Sequence, residues 1–242
     1  MPEFHFIEPC SPVSAKAIPR GPDWLHEVKF DGYRMQVHKA GEDVVIFSRN
    51  GHDFSSRFAD IAYLLRDLPA KTAILDAEIV ASNAAGVPDF AELHRRTTDC
   101  LHLWCFDLLA INGRDWRPYG LEKRQARLDA LLTRFDCPAV LMSKSFDDGQ
   151  ALLRIAEKHK LEGIVSKRRE GPYQSGPCRD WRKVKTAEWK TANPRVCAQP
   201  VGLCNPGQRD RSEFEAQSDA TINVAGRART RLLLRINAHT HL

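Results

Sequence analysis

From Glu27 to His38 the chain alternates polar and apolar side chains, and the alternation is interrupted only at Asp31-Gly32. Side chains that alternate with period two sit on opposite faces of an extended strand. The surrounding stretch therefore reads as three strands, over 24–30, 33–39 and 43–48, forming a meander whose turns are supplied by "DGYR" and "KAGED". Within the first strand, Val28 and Phe30 share one face, and Glu27, Lys29 and Asp31 share the other. A strand that places carboxylate, amine and carboxylate in a row has either a solvated face or a chemical one.

Further along, 55–68 has helical spacing of Phe58, Ile61, Leu64, Leu65 and Leu68. Residues 73–82 and 101–113 read as strands, closed by "NAAG" and by Asn-Gly respectively. Residues 120–135 and 150–160 read as amphipathic helices, and 162–168 and 181–185 as short strands rich in Lys and Arg. Strands joined by short connections without a steady strand–helix rhythm favour antiparallel pairing, so the fold class is α+β. The first 23 residues, with four prolines, read as an extended lead-in.

The 242 residues carry a formal net charge of +5, 43% hydrophobic and 28% charged residues. These are the proportions of a globular chain long enough to bury a core. The charge is uneven: 1–193 holds 29 Lys and Arg against 27 acids, whereas 194–242 holds seven Arg, no Lys and four acids. The composition breaks there, and the tail reads as a weakly ordered extension with one short helix at 228–236. Its Arg content leans toward a polyanionic partner. No apolar run reaches about 18 residues, so no membrane span is expected. The N-terminus lacks a basic region followed by an apolar one, so no secretory signal is expected. Seven scattered Cys without a CxxC point to free thiols in a reducing cytoplasm. Cys100, His102 and Cys105 lie close in sequence, but no second pair completes a tetrahedral zinc site.

A lysine acts as a nucleophile only when deprotonated, which calls for nearby cations or desolvation. A phosphoryl electrophile also calls for a cationic cradle and a carboxylate for a metal ion. The remaining motifs offer such partners: Arg49 in "FSRNG", Glu78 in "LDAEIV", Phe106 in "WCFDLL", Glu162 and Lys167 in "EGIVSKR", and Lys183 and Lys185 in "WRKVK". Taken singly, each has an ordinary reading. Glu78 would pair with a core Arg, Phe106 would be core, the lysine pair would be a solvated face, and Glu162 would pair with a neighbouring cation.

In their order along 24–185 these motifs resemble the nucleotidyltransferase domain of ATP-dependent DNA ligases, with likeness to the bacterial end-joining type. "KFDGYR", "SRNG", "LDAEIV", "FDLL", "EGIVSK" and "WRKVK" match six family motifs in family order. The resemblance implies a two-sheet, antiparallel-rich adenylation core over 24–193. It implies that Lys29 attacks the α-phosphate of ATP, expels pyrophosphate and holds AMP as a phosphoramidate. AMP then passes to a DNA 5′-phosphate, and a 3′-hydroxyl displaces it to seal the nick. Arg34, Arg49 and Glu78 would hold the ribose and phosphate region. Phe106 would stack on adenine, the Glu27–Val28 region would read the base edge, and Lys167 would join the nucleotide site. Glu162 would bind Mg²⁺ or Mn²⁺, and Lys183 and Lys185 would grip the phosphates. Asp31 either orients the amine or binds metal. Ala77 stands where the family usually has Gly, and Arg182 where an aliphatic residue is usual.

Residues 186–242 are too few, and too irregular in pattern, for the OB-fold that follows this domain in full ligases. The expectation is a bare adenylation domain with an unrelated tail, monomeric, cytoplasmic and nucleoid-associated. It would act on nicked double-stranded DNA with a separate OB-fold, end-joining or repair protein. The alternatives are an RNA ligase or capping-type nucleotidyltransferase, and a non-catalytic nucleotide- or nick-binding module.

Overall fold

The computed structural model describes residues 4–81, 93 and 101–193. The tail with the helix expected at 228–236, the "NAAG" segment and Cys100 lie outside the described residues. Among the described residues, ten strands form two sheets. The first has the order β1 (Cys10–Ser14), β10 (Gly176–Lys185), β9 (Gly163–Arg168), β2 (Trp24–Lys29). The second runs β4 (Asp43–Ser48), β3 (Tyr33–Ala40), β5 (Thr72–Ala81), β6 (Leu101–Ile111), β7 (Arg114–Asp115), with β8 (Val140–Met142) parallel to β6. Most pairings are antiparallel, and β1 pairs in parallel with β10.

The expected meander is not formed. β3 and β4 make the hairpin that "KAGED" predicts, with Ala40 opposite Asp43. The first strand instead leaves for the other sheet, where Lys29 pairs with Gly163. "DGYR" is thus a crossing between sheets rather than a hairpin turn. A close approach makes it so: a Cβ on Gly32 would lie 2.2 Å from the Ile79 carbonyl oxygen, so only glycine lets the chain pass β5. By contrast, Asn112-Gly113 forms the expected hairpin turn with both φ angles positive, at 49° and 79°.

The helical pattern at 55–68 yields a shorter helix, α1 (Ala59–Leu64), followed by a 3₁₀ turn at Leu65–Asp67. It begins late because Ser55 is held by hydrogen bonds to the Asp53 carboxylate, a turn that competes with helix. The other helices given whole among the described residues are α2 (Leu121–Phe135), α3 (Gly149–Lys158, capped by the Asp148 side chain) and α4 (Ala187–Ala192). α2 buries Leu121, Leu128, Leu131 and Leu132, and the last three join the core of the larger sheet. α3 packs Leu152 and Ala156 with Val28, Ile164 and Val184 of the smaller one.

The lead-in joins the two sheets. β1 lies on β10, with Pro12 in the edge position where a missing N–H is tolerated. Just before it, Phe6 meets Phe47 edge-on, and Ile7 exchanges two 2.9 Å hydrogen bonds with the Gln36 side chain. Among the described residues, no helix is long and apolar enough to cross a membrane.

Candidate active site

Strand register sets out the smaller sheet's inner face as rows of three. Gly163 is flanked by Lys29 and Lys185, Val165 by Glu27 and Lys183, and Lys167 by Leu25 and Trp181. Glu162, just ahead of Gly163, therefore falls between two lysines. Its Oε2 accepts from Lys29 Nζ at 2.6 Å, and its Oε1 accepts from Lys185 Nζ at 3.0 Å. The ordinary reading of Glu162, pairing with neighbouring cations, is met, and one of those cations is Lys29. The Lys29 side chain keeps 23% of its surface exposed, against 4% for Glu162. The amine is thus held in place yet open to a cavity.

That cavity, about 660 Å³, lies between the sheets. Every residue expected at the site lines it: Glu27, Val28, Lys29, Asp31, Arg34, Arg49, Glu78, Phe106, Glu162, Lys167, Lys183 and Lys185. Val28 lines it although its side chain belongs to the apolar core packed with α3. The volume falls in the range of nucleotide-sized ligand sites.

One end of the cavity is cationic. Burial, and then the charges of Lys29, Lys185 and Arg49, lower the Lys183 amine below its usual range. Asp31 is pushed up by burial and by Glu162 beside it. Its Oδ2 accepts from the Trp189 indole at 3.4 Å, and Lys185 Nζ lies 3.5 Å from the Trp189 ring centroid. Trp189, on α4, was not legible as a site residue, because it lies beyond the last motif.

The opposite end is aromatic and more deeply buried. Phe106 and Trp181 meet edge-on at 6.2 Å, and the Lys167 ammonium lies 4.7 Å and 4.2 Å from their centroids. Lys167 also pairs with Glu27 Oε1 at 2.7 Å, both side chains almost fully buried. Burial raises the Glu27 carboxyl, against the opposing pull of Lys167.

Two expectations about acids and arginines change. Arg34 stands opposite Glu78 in the β3–β5 register but binds Asp76 instead, through Nε at 3.0 Å and Nη2 at 2.6 Å. Its Nη1 donates to the Cys10 carbonyl at 2.7 Å, and Tyr173 donates to Asp76 at 2.6 Å. Arg34 thus braces the cavity wall beneath Phe106, 5.3 Å from that ring, with its guanidinium engaged by protein partners. Glu78 does not take a core Arg as partner; its Oε1 accepts from the Gly32 N–H at 3.2 Å. Burial raises its carboxyl to about 7, with Lys29 and Arg34 pulling the other way. Asp76 was hidden in the sequence because it sits beside Glu78 in the same apolar strand.

The two departures are accommodated. Ala77 is fully buried in the core. Arg182 lies on the outer face, 4.8 Å from the Trp24 ring, where Arg168 stacks as well at 4.6 Å.

The chain matches the family model described as the ATP dependent DNA ligase domain over residues 8–185. It is 32% identical to the multifunctional non-homologous end joining protein LigD of Pseudomonas aeruginosa, over 96% of this chain and 29% of that protein. It is also 32% identical to DNA ligase C1 of Mycolicibacterium smegmatis, over 73% of this chain and 56% of that one. Among solved structures, the ligase domain of M. tuberculosis LigD superposes with a TM-score of 0.66 at 28% identity, covering 75% of this chain and 62% of that one. A mycobacterial DNA ligase D complexed with ATP and MES gives 0.64 at 29% identity. The chain therefore spans under a third of the Pseudomonas relative and just over half of the Mycolicibacterium one.

Proposed function

The chain belongs to the family of ATP-dependent DNA ligase domains, and from that premise we propose that it forms a covalent lysyl-AMP at Lys29 and passes the AMP to a DNA 5′-phosphate. The observation that carries this reading is the Lys29 amine. It is fixed at 2.6 Å by Glu162, partly exposed, and set in a cavity that holds all the other expected residues.

Phosphoryl transfer asks chiefly for positioning and charge neutralisation. Strand β2 supplies the first, since a strand holds a nucleophile more rigidly than a loop does. Lys29 attacks the α-phosphorus, and the bond to the bridging oxygen breaks, so that pyrophosphate leaves with the electron pair. Lys183 and Lys185 neutralise the charge that develops on the phosphate oxygens. The depressed Lys183 amine follows first from burial and then from the crowding of cations that such a cradle requires. Phe106 and Trp181 supply a slot for the base, and Arg49 and Glu78 the ribose and phosphate contacts.

Glu162 and Asp31, two hard carboxylates beside the nucleophile, suit Mg²⁺ or Mn²⁺, which takes one or two carboxylates together with substrate oxygens. Such an ion supplies charge neutralisation at the phosphates. Lys29 has to give up its proton before attack, and Glu162 Oε2 is the acceptor within hydrogen-bond reach.

The substrate is nicked double-stranded DNA, and an OB-fold module or an end-joining or repair protein takes part in sealing. The protein acts as a monomer in the cytoplasm, at the nucleoid. Incubation with α-labelled ATP and Mg²⁺, followed by a denaturing gel, tests the reading. Label is expected on the protein and none on Lys29→Ala. Label on neither would favour a non-catalytic nucleotide- or nick-binding module.

A further inference from the structure

Trp189 lies on α4, beyond the last motif, yet its side chain lines the cavity. α4 buries none of its residues, so the ring is not there to complete the core. The helix is tied instead to the segment that carries Glu162. The Thr186 N–H donates to the Glu162 carbonyl at 3.0 Å, and the buried Thr186 hydroxyl donates to the Leu161 carbonyl at 2.9 Å. The same hydroxyl oxygen accepts from the Trp189 N–H at 3.4 Å and so caps the helix. These bonds give the first turn of α4, and with it Trp189, a set position relative to Glu162.

Two charged groups of the site meet the indole. Its Nε1–H donates to Asp31 Oδ2 at 3.4 Å, which fixes the orientation of the ring. Its face carries Lys185 Nζ at 3.5 Å from the centroid. The other partner of that ammonium is Glu162 Oε1 at 3.0 Å. A lysine ammonium is a point charge on a flexible stem, so its place is set by what surrounds it. Glu162 takes one of its three N–H donors. The ring attracts the charge through its face, and donors are left over for an anion in the cavity. A cation held in place beforehand loses less freedom when that anion arrives.

We propose that Trp189 is a positioning residue that holds the Lys185 ammonium ready for the phosphates of the nucleotide. This rests on the nucleotide-binding reading above, and it adds to that reading a residue that no motif contains.

The test is a double-mutant cycle on the full-length chain. Wild type, Trp189→Leu, Lys185→Met and the double variant are titrated at equilibrium with the α,β-methylene analogue of ATP and Mg²⁺. The analogue has phosphates but cannot pass AMP to a lysine. Affinity is expected to fall roughly three- to tenfold in Trp189→Leu, the scale of one cation–π contact. Most of that fall should vanish where Lys185 is already replaced, and Trp189→Phe, which keeps a ring face, should recover part of it. Equal losses in both backgrounds would mark a structural role independent of Lys185 and overturn the proposal. An affinity unchanged or raised in Trp189→Leu would do the same, since a ring that competes with phosphate for the ammonium gives that result. So would a wild type that does not bind the analogue. Should Trp189→Leu fail to fold, Trp189→Gln takes its place in the cycle under the same criteria. Binding does not require turnover. A wild type that takes no label from ATP but shows the Trp189–Lys185 coupling would sink lysyl-AMP formation and leave this inference standing; a labelled chain with additive losses would do the reverse.

Discussion

Single residues in this cavity carry charge states that ordinary reference values would not give. Glu78 is the clearest. Its carboxyl is raised to about 7, chiefly by burial, against about 4.3 in an unfolded chain. Between those two values the folded state holds a proton that the unfolded state has released. Stability therefore falls as pH rises through that window, and this contribution levels off above about 7. In Glu78→Gln the contribution is absent. Urea titrations from pH 5 to 8 should show the variant gaining on the wild type as pH rises; parallel curves would contradict the assignment. Glu78 was legible from sequence because an acid inside an apolar strand calls for a reason. Arg34 was legible as a site residue, but its partner was not. Register places Glu78 opposite it, yet the guanidinium reaches Asp76 diagonally, and cross-strand diagonals depend on side-chain direction rather than on sequence spacing.

At the level of elements, local patterns located the strands and helices well. β3, β4, β5, β6 and α2 fall within one or two residues of the alternating and helical runs that predict them. What local pattern could not give was pairing. β2 and β3 are adjacent in sequence and separated by a Gly-containing tetrad that resembles a hairpin turn, yet they belong to different sheets. The pleat fixes which side chains share a face, but it does not fix which strand lies alongside. β8 was missed for a related reason, being three residues long and paired to a distant strand. The crossing depends on Gly32, where any Cβ would meet the Ile79 carbonyl oxygen at 2.2 Å. Gly32→Ala should cost about 1–3 kcal/mol, the scale of overpacking, and should also weaken nucleotide binding because the loop separates Lys29 from Arg34. Denaturant unfolding that matches the wild type would show that β5 yields more easily than the packing implies.

Across the whole molecule, the two sheets bring different halves of one site. The smaller sheet contributes the grid of Glu27, Lys29, Lys167, Lys183 and Lys185, and the larger contributes Arg34, Glu78 and Phe106. Neither half alone encloses a nucleotide, so the fold's main consequence is that folding assembles the cavity. The lead-in contributes to this by packing Phe6 and Ile7 on the larger sheet while β1 lies on the smaller. A chain whose body from 1 to 193 is nearly balanced in charge still clusters Lys29, Arg49, Lys183 and Lys185 around this cavity, where a polyphosphate would meet them. The most direct measurement is the intact mass of the protein after incubation with ATP and Mg²⁺, followed by peptide mapping. One adenylyl group, acid-labile as a phosphoramidate is and located on the peptide that carries Lys29, is the predicted result. An unmodified chain, or an adduct on any other residue, would contradict the account.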